Sequence, residues 1–131
     1  MQKLDIKTRY RVEFLDVTAR VREVVGESGV VDGVCYLFVP HTTAAVTVNE
    51  HADPSVVKDI VAHLDAMVPQ HTGYLHAEGN SPAHIKASLV GISETLFVEG
   101  GRLVLGTWQG IFFCEFDGPR SRHLLVKVVP G

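Results

Sequence analysis

Residues 93–129 read SETLFVEGGRLVLGTWQGIFFCEFDGPRSRHLLVKVV, and this stretch decides the fold. It contains strand-like runs over 93–98, 102–108, 111–116 and 123–129, separated by Gly100-Gly101, by Gln109-Gly110 and by the turn sequence DGPR. Short runs of β-branched and aromatic residues that are interrupted by glycine and proline are typical of successive strands joined by turns. We therefore predict an antiparallel meander in this part of the chain.

Further strand-like runs lie over 3–10, 11–14, 30–39 and 44–48, and helical patterns lie between them and in the middle of the chain. A short amphipathic helix is predicted between the N-terminal cap Asp16 and the stop at Gly29. A longer helix is predicted over Pro54–Val68 behind the cap Asp53, and Ser81-Pro82 starts a third. Because strands and helices do not alternate, we predict a single α+β domain over 1–131, with largely antiparallel sheets and two to three helices.

Composition and charge exclude several classes of protein. The formal net charge of −3 offers no electrostatic footprint for nucleic acid or an anionic membrane, although a local basic pocket can still hold phosphate. Apolar runs such as VCYLFV are far shorter than the roughly 20 residues that span a bilayer, and MQKLDIKTRY lacks the apolar region of a signal peptide. We expect a cytoplasmic protein without nucleic-acid or membrane partners, in which Cys35 and Cys114 are buried and reduced.

The segment PHTTAAVTVNEHADP, residues 40–54, is the first candidate for chemistry. His41 follows a strand and a proline, so its side chain projects from a strand edge or loop, where functional residues often lie. An equally simple interpretation is that His41 and its two threonine neighbours bond the backbone of a turn. Further along, Asn49 and Glu50 crowd the junction between strand and helix, where Asp53 has a sufficient role as helix cap.

The segment HAEGNSPAHIKAS, residues 76–88, is the second candidate. His76 and Glu78 lie on the same side of an extended backbone, and His84 falls in the first turn of the predicted helix. Neutral imidazole suits zinc and similar metals, and His41 is a possible third nitrogen ligand. The spacing matches no recognised metal signature, and a solvated or hydrogen-bonded histidine is the simpler interpretation of each taken singly. The remaining histidines are interpreted as surface residues: His51, His63, His71 and His123.

The start of the same helix also suits an anion. Its free backbone N–H groups and the positive end of its dipole favour a phosphate, with Asn80, Lys86 and Ser88 nearby. A solvated Lys86 is the simpler interpretation. The prediction that Lys86 contacts an anion therefore depends on the polar residues near it.

The third candidate is GRLVLGTWQGIFFCEFDGPR, residues 101–120, in which glycines bracket Trp108 and Gln109. Glycine within a strand pattern indicates a bulge or the close approach of a ligand or another chain. Glu115 stands in an apolar run, so its carboxylate points either to solvent or to a partner in a site. Its role, like a role of Asp53 beyond capping, stays open.

These three segments together resemble the YjbQ-like family of small proteins, often named secondary thiamine-phosphate synthases, over nearly the whole chain. The most specific part of the resemblance is LVGISETLFVEGGRLVLGTWQGI. The resemblance implies an α+β fold with β-sandwich-like sheets, assembly as a homotrimer, and a metal-associated polar site made by histidines and acidic residues. It strengthens the assignment of His41, His76 and His84 as metal ligands.

The resemblance also implies an activity, since members have been credited with joining a pyrimidine diphosphate to a thiazole phosphate to form thiamine phosphate and pyrophosphate. Such a reaction normally uses Mg2+, which prefers oxygen ligands, whereas this site is rich in histidine. We expect a zinc-like metal, with Mg2+ bound near Glu50, Asp53 or Glu78 if the transferase interpretation holds. In that case Lys86 and Asn80 stabilise the leaving diphosphate.

Two further interpretations stay open, so whether the protein is an enzyme is not decided by sequence. In a metal-dependent hydrolase, a metal-activated water would be the nucleophile and Glu78 or Glu50 its base. A trimeric protein that only binds a metal or an anion is the non-enzymatic alternative. In each case the expected partner is a small phosphorylated ligand. The residues expected to contact it are Thr42, Thr43, Asn49, Asn80, Ser88, Trp108 and Gln109.

Overall fold

The computed structural model describes residues 1–71 and 73–131, and this part of the chain forms three helices and eight strands. The helices are α1 (Thr18–Ser28), α2 (Pro54–Met67) and α3 (Ser81–Val90). The strands are β1 (Gln2–Lys7), β2 (Glu13–Asp16), β3 (Gly33–Phe38), β4 (Ala44–Glu50), β5 (Ser93–Glu99), β6 (Arg102–Leu103), β7 (Gln109–Glu115) and β8 (Ser121–Pro130). No helix in 1–71 or 73–131 is long and apolar enough to cross a membrane.

The strands form two antiparallel sheets. The larger has the order β1-β8-β3-β5-β6, and the smaller has the order β2-β7-β4. The predicted α+β fold with sandwich-like antiparallel sheets is confirmed. The predicted meander is wrong beyond its first turn, because only β5 and β6 pair as neighbours in sequence. β7 lies between β2 and β4, and β8 lies between β1 and β3.

The main core lies between the two sheets and around α1. Val21 and Val25 of α1 are buried there with Phe113 of the small sheet and Leu124 and Val126 of the large one. Burying a side chain of this size contributes about 1.5–3 kcal/mol to the hydrophobic stabilisation. The two sheets are therefore held face to face by apolar packing.

Helices α2 and α3 cover the other face of the small sheet. The second cluster joins Ala83 and Ala87 of α3 to Phe112 and Cys114 of β7. β7 is therefore buried on both faces, which its continuous apolar run IFFC reflects. Short alanines on α3 let the helix lie close to the sheet, and this brings the start of α3 to the end of β7.

Local sequence signals explain where the helices begin and end. Asp53 caps α2 by accepting a hydrogen bond from the backbone N–H of Ser55 at 2.9 Å, as predicted. Gly29 ends α1 in a left-handed conformation with φ 71°. Asp16 lies one residue further out than predicted, since the N-cap position of α1 is Val17. Its carboxylate instead accepts hydrogen bonds from Thr18, at 3.0 Å from the backbone nitrogen and 2.5 Å from the hydroxyl.

Candidate functional site

The start of α3 brings two of the predicted metal ligands together. The rings of His76, in the preceding loop, and His84, in the first turn of α3, lie 5.3 Å apart and nearly perpendicular. The Glu78 carboxylate lies 3.9 Å from Nε2 of His76. Both histidines line a depression of about 440 Å³, together with Ser81 and Ile85. Two imidazoles thus meet at a surface depression, with a carboxylate near one of them, and their metal-binding role stays a prediction.

His41 is fixed at a different place, beside β8. Its Nε2 accepts a hydrogen bond from the backbone N–H of His123 at 2.9 Å, and the two rings stack at 6.1 Å. Burial, followed by the nearby Arg122 guanidinium, holds the pKa of His41 below its ordinary value. Thr42, the next residue, is exposed.

The three predicted ligands do not gather within one chain. Among residues 1–71 and 73–131, no group of three histidine, cysteine or acidic side chains is arranged to hold a metal ion. His41 lies beside β8, where its Nε2 accepts a hydrogen bond from the backbone N–H of His123. The role of His41 as a third metal ligand stays a prediction.

A buried ion pair lies next to His41 and spans the two sheets. Glu115 of β7 is 0 % exposed and accepts two hydrogen bonds from Arg122 of β8, at 2.9 and 2.5 Å. Thr8 and the backbone N–H of Asp117 also donate to this carboxylate, at 2.7 and 3.1 Å. Burial raises the pKa of Glu115, but these hydrogen bonds outweigh it and hold the pKa below its ordinary value. The sequence left open whether the Glu115 carboxylate points to solvent or to a partner. It points inward, to Arg122.

Thr43 belongs to this network and not to an open site. It is buried, and its hydroxyl lies 2.7 Å from the Arg122 guanidinium, from which it accepts a hydrogen bond. Thr43 was predicted to contact a ligand, but because it is buried, a ligand has no open path to it within a single chain. Its position holds Arg122 in the orientation that faces Glu115.

Lys86 is neither solvated nor directed at the start of α3. It is 2 % exposed, and its ammonium forms an ion pair with Asp65 of α2. This contact ties the two helices together, because the long side chain crosses between them. The Ser88 hydroxyl donates to the carbonyl of His84 at 2.9 Å, which is a bond within α3. Neither side chain is oriented toward a ligand at the helix start.

Asn80 lies where the sequence placed it, directly before α3. Its amide nitrogen donates to Asp117 at 2.9 Å, and Asp117 is also paired with Arg120 at 2.9 Å. Its amide oxygen is buried and accepts no hydrogen bond from the described residues. Asn80 lines a second depression of about 340 Å³, together with Arg11 and Gln70. The two depressions flank the first turn of α3, with Ser81 on one side and Asn80 on the other.

The remaining predicted residues lie at the paired ends of β4 and β7. Asn49 pairs with Gly110, and Glu50 pairs with Gln109. The side chains of Asn49 and Gln109 accept hydrogen bonds from the nearby backbone, at 2.7 and 2.8 Å. Trp108 is 63 % exposed.

Glu50 lines a depression of about 270 Å³ that shares no lining residue with the His76–His84 depression. The sequence did not predict one contact beside this depression, because His51 was interpreted as a surface residue. Nδ1 of His51 lies 2.8 Å from a carboxylate oxygen of Asp16, on β2. The two residues are 35 positions apart, and no local pattern connects them.

Comparison with known proteins supports a single assignment. A sequence model of the family described as "UPF0047 protein YjbQ-like" matches residues 2–131. The UPF0047 protein MJ1081 of Methanocaldococcus jannaschii is 51 % identical over 127 residues, which are 97 % of this chain and 92 % of that protein. The UPF0047 protein YugU of Bacillus subtilis is 48 % identical over 130 residues, 98 % of each chain.

Solved structures agree in fold. A crystal structure of a YjbQ/UPF0047-family protein of Clostridium acetobutylicum is 51 % identical, with a TM-score of 0.96 and coverage of 98 % of this chain and 100 % of that one. A crystal structure of a protein of Aeropyrum pernix is 39 % identical, with a TM-score of 0.94 and coverage of 99 % of this chain and 98 % of that one. Because sequence and fold agree along almost the whole length, the chain belongs to the YjbQ-like (UPF0047) family.

Proposed function

We propose that the chain is a cytoplasmic, metal-dependent enzyme that acts on a phosphorylated small molecule at the start of α3. The observation that carries this proposal is the convergence of His76 and His84, 5.3 Å apart, on an open depression. Two nitrogen donors with a carboxylate 3.9 Å from one of them fit a zinc-like ion in ligand type. The reduced, buried Cys35 and Cys114 are consistent with a cytoplasmic protein.

A zinc-like ion would be held by His76 and His84, with Glu78 or another subunit's His41 as a third ligand. When bound, such an ion acts as a Lewis acid and polarises an oxygen of the substrate or of water. The chain's own residues hold the substrate. The first turn of α3 offers the positive end of its dipole, and Arg11 lines the neighbouring depression.

The finer proposal is a thiamine-phosphate synthase-like transfer, in which pyrophosphate leaves a pyrimidine diphosphate. Asn80 and the start of α3 would contact the leaving diphosphate, and Mg2+ near Glu78 would replace the zinc-like ion. Trp108 lies by a different depression, so it would stack on a substrate ring only across a subunit boundary. Lys86 contributes to this reaction indirectly, by tying α3 to α2.

The hydrolase alternative is favoured by one contact, the position of Glu78 beside His76. The Glu78 side chain is 73 % exposed, so its carboxylate is accessible to water and would accept a proton from a water molecule beside His76. Both activities use the same histidines, and they differ in whether water or a thiazole phosphate is the acceptor. In the non-enzymatic alternative, the same histidines bind the metal, and no substrate is converted.

Metal content and turnover test the proposal together. Protein purified without added metal is expected to carry a zinc-like ion by elemental analysis, or to bind titrated Zn2+ with a rise in its melting temperature. With the two phosphorylated precursors and Zn2+ or Mg2+, thiamine phosphate is expected by mass spectrometry. No product at high protein concentration removes the synthase proposal. Bound metal without turnover of any phosphorylated substrate supports the non-enzymatic alternative. If no metal binds, the assignment of His76 and His84 as metal ligands is wrong.

We also propose that the protein assembles as a homotrimer, as its resemblance to the YjbQ-like family implies, and that the subunits meet at the outer face of the large sheet, which carries uncovered apolar side chains. Val34, Tyr36 and Phe38 share this face with Phe97 of β5 and Leu125 of β8, according to the strand registers. Phe97 is 67 % exposed, and α2 and α3 pack against the other sheet. An apolar face of this kind typically marks a protein interface.

A charge placed on this face is expected to dissociate the trimer. Phe97→Glu would bury an unpaired carboxylate in the interface, so light scattering should show a mass near that of one chain at micromolar concentration. Met67→Glu, an exposed apolar position on α2, is the matched control and should keep the wild-type mass. A wild-type protein that is monomeric contradicts the proposal, and a trimer that survives Phe97→Glu excludes this face.

A further inference from the structure

Two sequence segments that the α3 site does not use meet at the ends of β4 and β7. They are NEHADP, residues 49–54, and GTWQG, residues 106–110. The backbone N–H of His51 donates to the carbonyl of Trp108 at 3.0 Å, and Asn49 pairs with Gly110. This contact places the His51 ring against Gly110, where a Cβ atom would lie 2.3 Å from Nδ1. Position 110 therefore lacks a side chain at the point where the imidazole packs.

The imidazole is held from its other side by a carboxylate that is itself fixed. Nδ1 of His51 lies 2.8 Å from one oxygen of Asp16. The other Asp16 oxygen accepts hydrogen bonds from the hydroxyl and backbone N–H of Thr18, at 2.5 and 3.0 Å. An ionised carboxylate accepts and does not donate, so in the neutral ring Nδ1 carries the proton and Nε2 keeps its lone pair. This is the orientation of a general base.

The depression beside this pair is lined by both apolar and charged residues. Phe14 and Phe112 are its aromatic residues, and Glu50, Asp53 and Lys58 add two acidic groups and one basic group. With Asp16 added, carboxylates outnumber ammonium groups, so a phosphorylated ligand is repelled and a neutral or cationic one with an apolar part is favoured.

We propose that Asp16 and His51 form an acid–base pair in a second site, which hydrolyses small neutral or cationic esters that carry an apolar group. Nε2 of His51 takes a proton from water as the water oxygen bonds to the ester carbonyl carbon. The carbon–oxygen bond to the alcohol then breaks, and the leaving oxygen takes the proton back from the imidazolium. An acid and an alcohol are released, and the ring returns to its first state. Lys58 faces the negative charge that develops on the carbonyl oxygen, and Asp16 is the positioning residue.

Ester hydrolysis by the full chain tests this proposal apart from the α3 site. The probe is p-nitrophenyl acetate, and excess EDTA removes any metal contribution. We expect hydrolysis to persist in EDTA and to fall about 100-fold in His51→Gln, within the range for loss of a general base. His63→Gln, an exposed histidine on α2, is the matched control for unspecific imidazole catalysis and should keep the wild-type rate. Equal rates for wild type and His51→Gln overturn the proposal.

The ring state provides a second test that a purely structural role would not pass. Nitrogen NMR of the wild type is expected to show the neutral His51 ring protonated at Nδ1, and Asp16→Asn should shift the proton toward Nε2 and lower kcat more than it raises KM. An Nε2-protonated His51 in the wild type overturns the proposal even if His51→Gln does not fold. Loss of metal binding at α3 leaves these results unchanged, so the two proposals fail separately.

Discussion

Replacing Arg122 by alanine is expected to lower the free energy of unfolding by about 3–5 kcal/mol at pH 7. The substitution removes both guanidinium hydrogen bonds to Glu115 and leaves a carboxylate that is 0 % exposed without its cation. Thr8 and the backbone N–H of Asp117 still donate to it, but these neutral donors do not replace the cation that pairs with a buried charge. Urea unfolding followed by circular dichroism measures the change through the shift in midpoint.

The matched control is Arg9→Ala, which removes an ion pair with Glu13 whose arginine side chain is 68 % exposed. The Glu13 side chain is only 8 % exposed, but the backbone N–H at position 9 still donates to it at 2.8 Å and water screens the arginine, so we expect a loss of less than about 1 kcal/mol. If Arg122→Ala unfolds at the same urea concentration as Arg9→Ala, the buried pair stabilises the fold no more than the pair of Arg9 with Glu13 does. The double variant Glu115→Leu/Arg122→Met is expected to recover much of the loss, since it removes both buried charges.

The same pair predicts the direction of the pH dependence. The folded-state pKa of Glu115 is lower than its ordinary value of 4.5, so the ion pair stabilises the fold fully above pH 4.5. This contribution is lost as the pH falls from that value through the folded-state pKa. The stability difference between the wild type and Arg122→Ala should therefore narrow as the solution is acidified below pH 4.5.

Substituting His84 by alanine is expected to weaken zinc binding by more than about 100-fold. Loss of a residue that only supports a metal ligand weakens binding by up to about 100-fold, and loss of a ligand itself should have a larger effect. His84 would provide one of two imidazole ligands, and its ring lies 5.3 Å from His76. Turnover of the phosphorylated substrate should be lost with the metal. Competition against a zinc chelator measures the affinity, and circular dichroism establishes that the fold is intact.

His63→Ala on α2 is the control for this experiment, because its side chain is exposed and lies outside the depression. It should bind zinc as the wild type does. Unchanged zinc affinity in a folded His84→Ala variant would remove His84 as a ligand. Retained metal binding with lost turnover would instead make His84 a substrate contact.

Features that depend on a few adjacent residues were predicted correctly from sequence. The cap Asp53 with Pro54 behind it starts α2, and Gly29 ends α1. His76 and His84 are close in sequence on both sides of a helix start, and they line one depression. Helix caps and short spacings are set within one or two turns of the chain, so local sequence is sufficient to recognise them.

Features that depend on distant partners were not predicted. Lys86 looked like a solvated or anion-binding lysine, because Asp65 lies 21 residues away on another helix. The Asp16–His51 pair spans 35 residues, and the contact between Arg122 and Thr43 spans 79. His41, expected with the other histidines, bonds the backbone of His123 instead. The prediction of a meander failed for the same reason, since strand periodicity does not specify the neighbouring strand.

The sequence alone determined the strands and helices, the α+β class, the family and the polar cluster before α3. These follow from side-chain periodicity, capping chemistry and short motifs, which act over a few residues. Only the tertiary structure decided that β7 and β8 separate into two sheets, that Glu115 and Arg122 join those sheets, and that His51 faces Asp16. Each of these depends on which buried surfaces pack together, and that choice is made by the whole core and not by the residues next to one another in the chain.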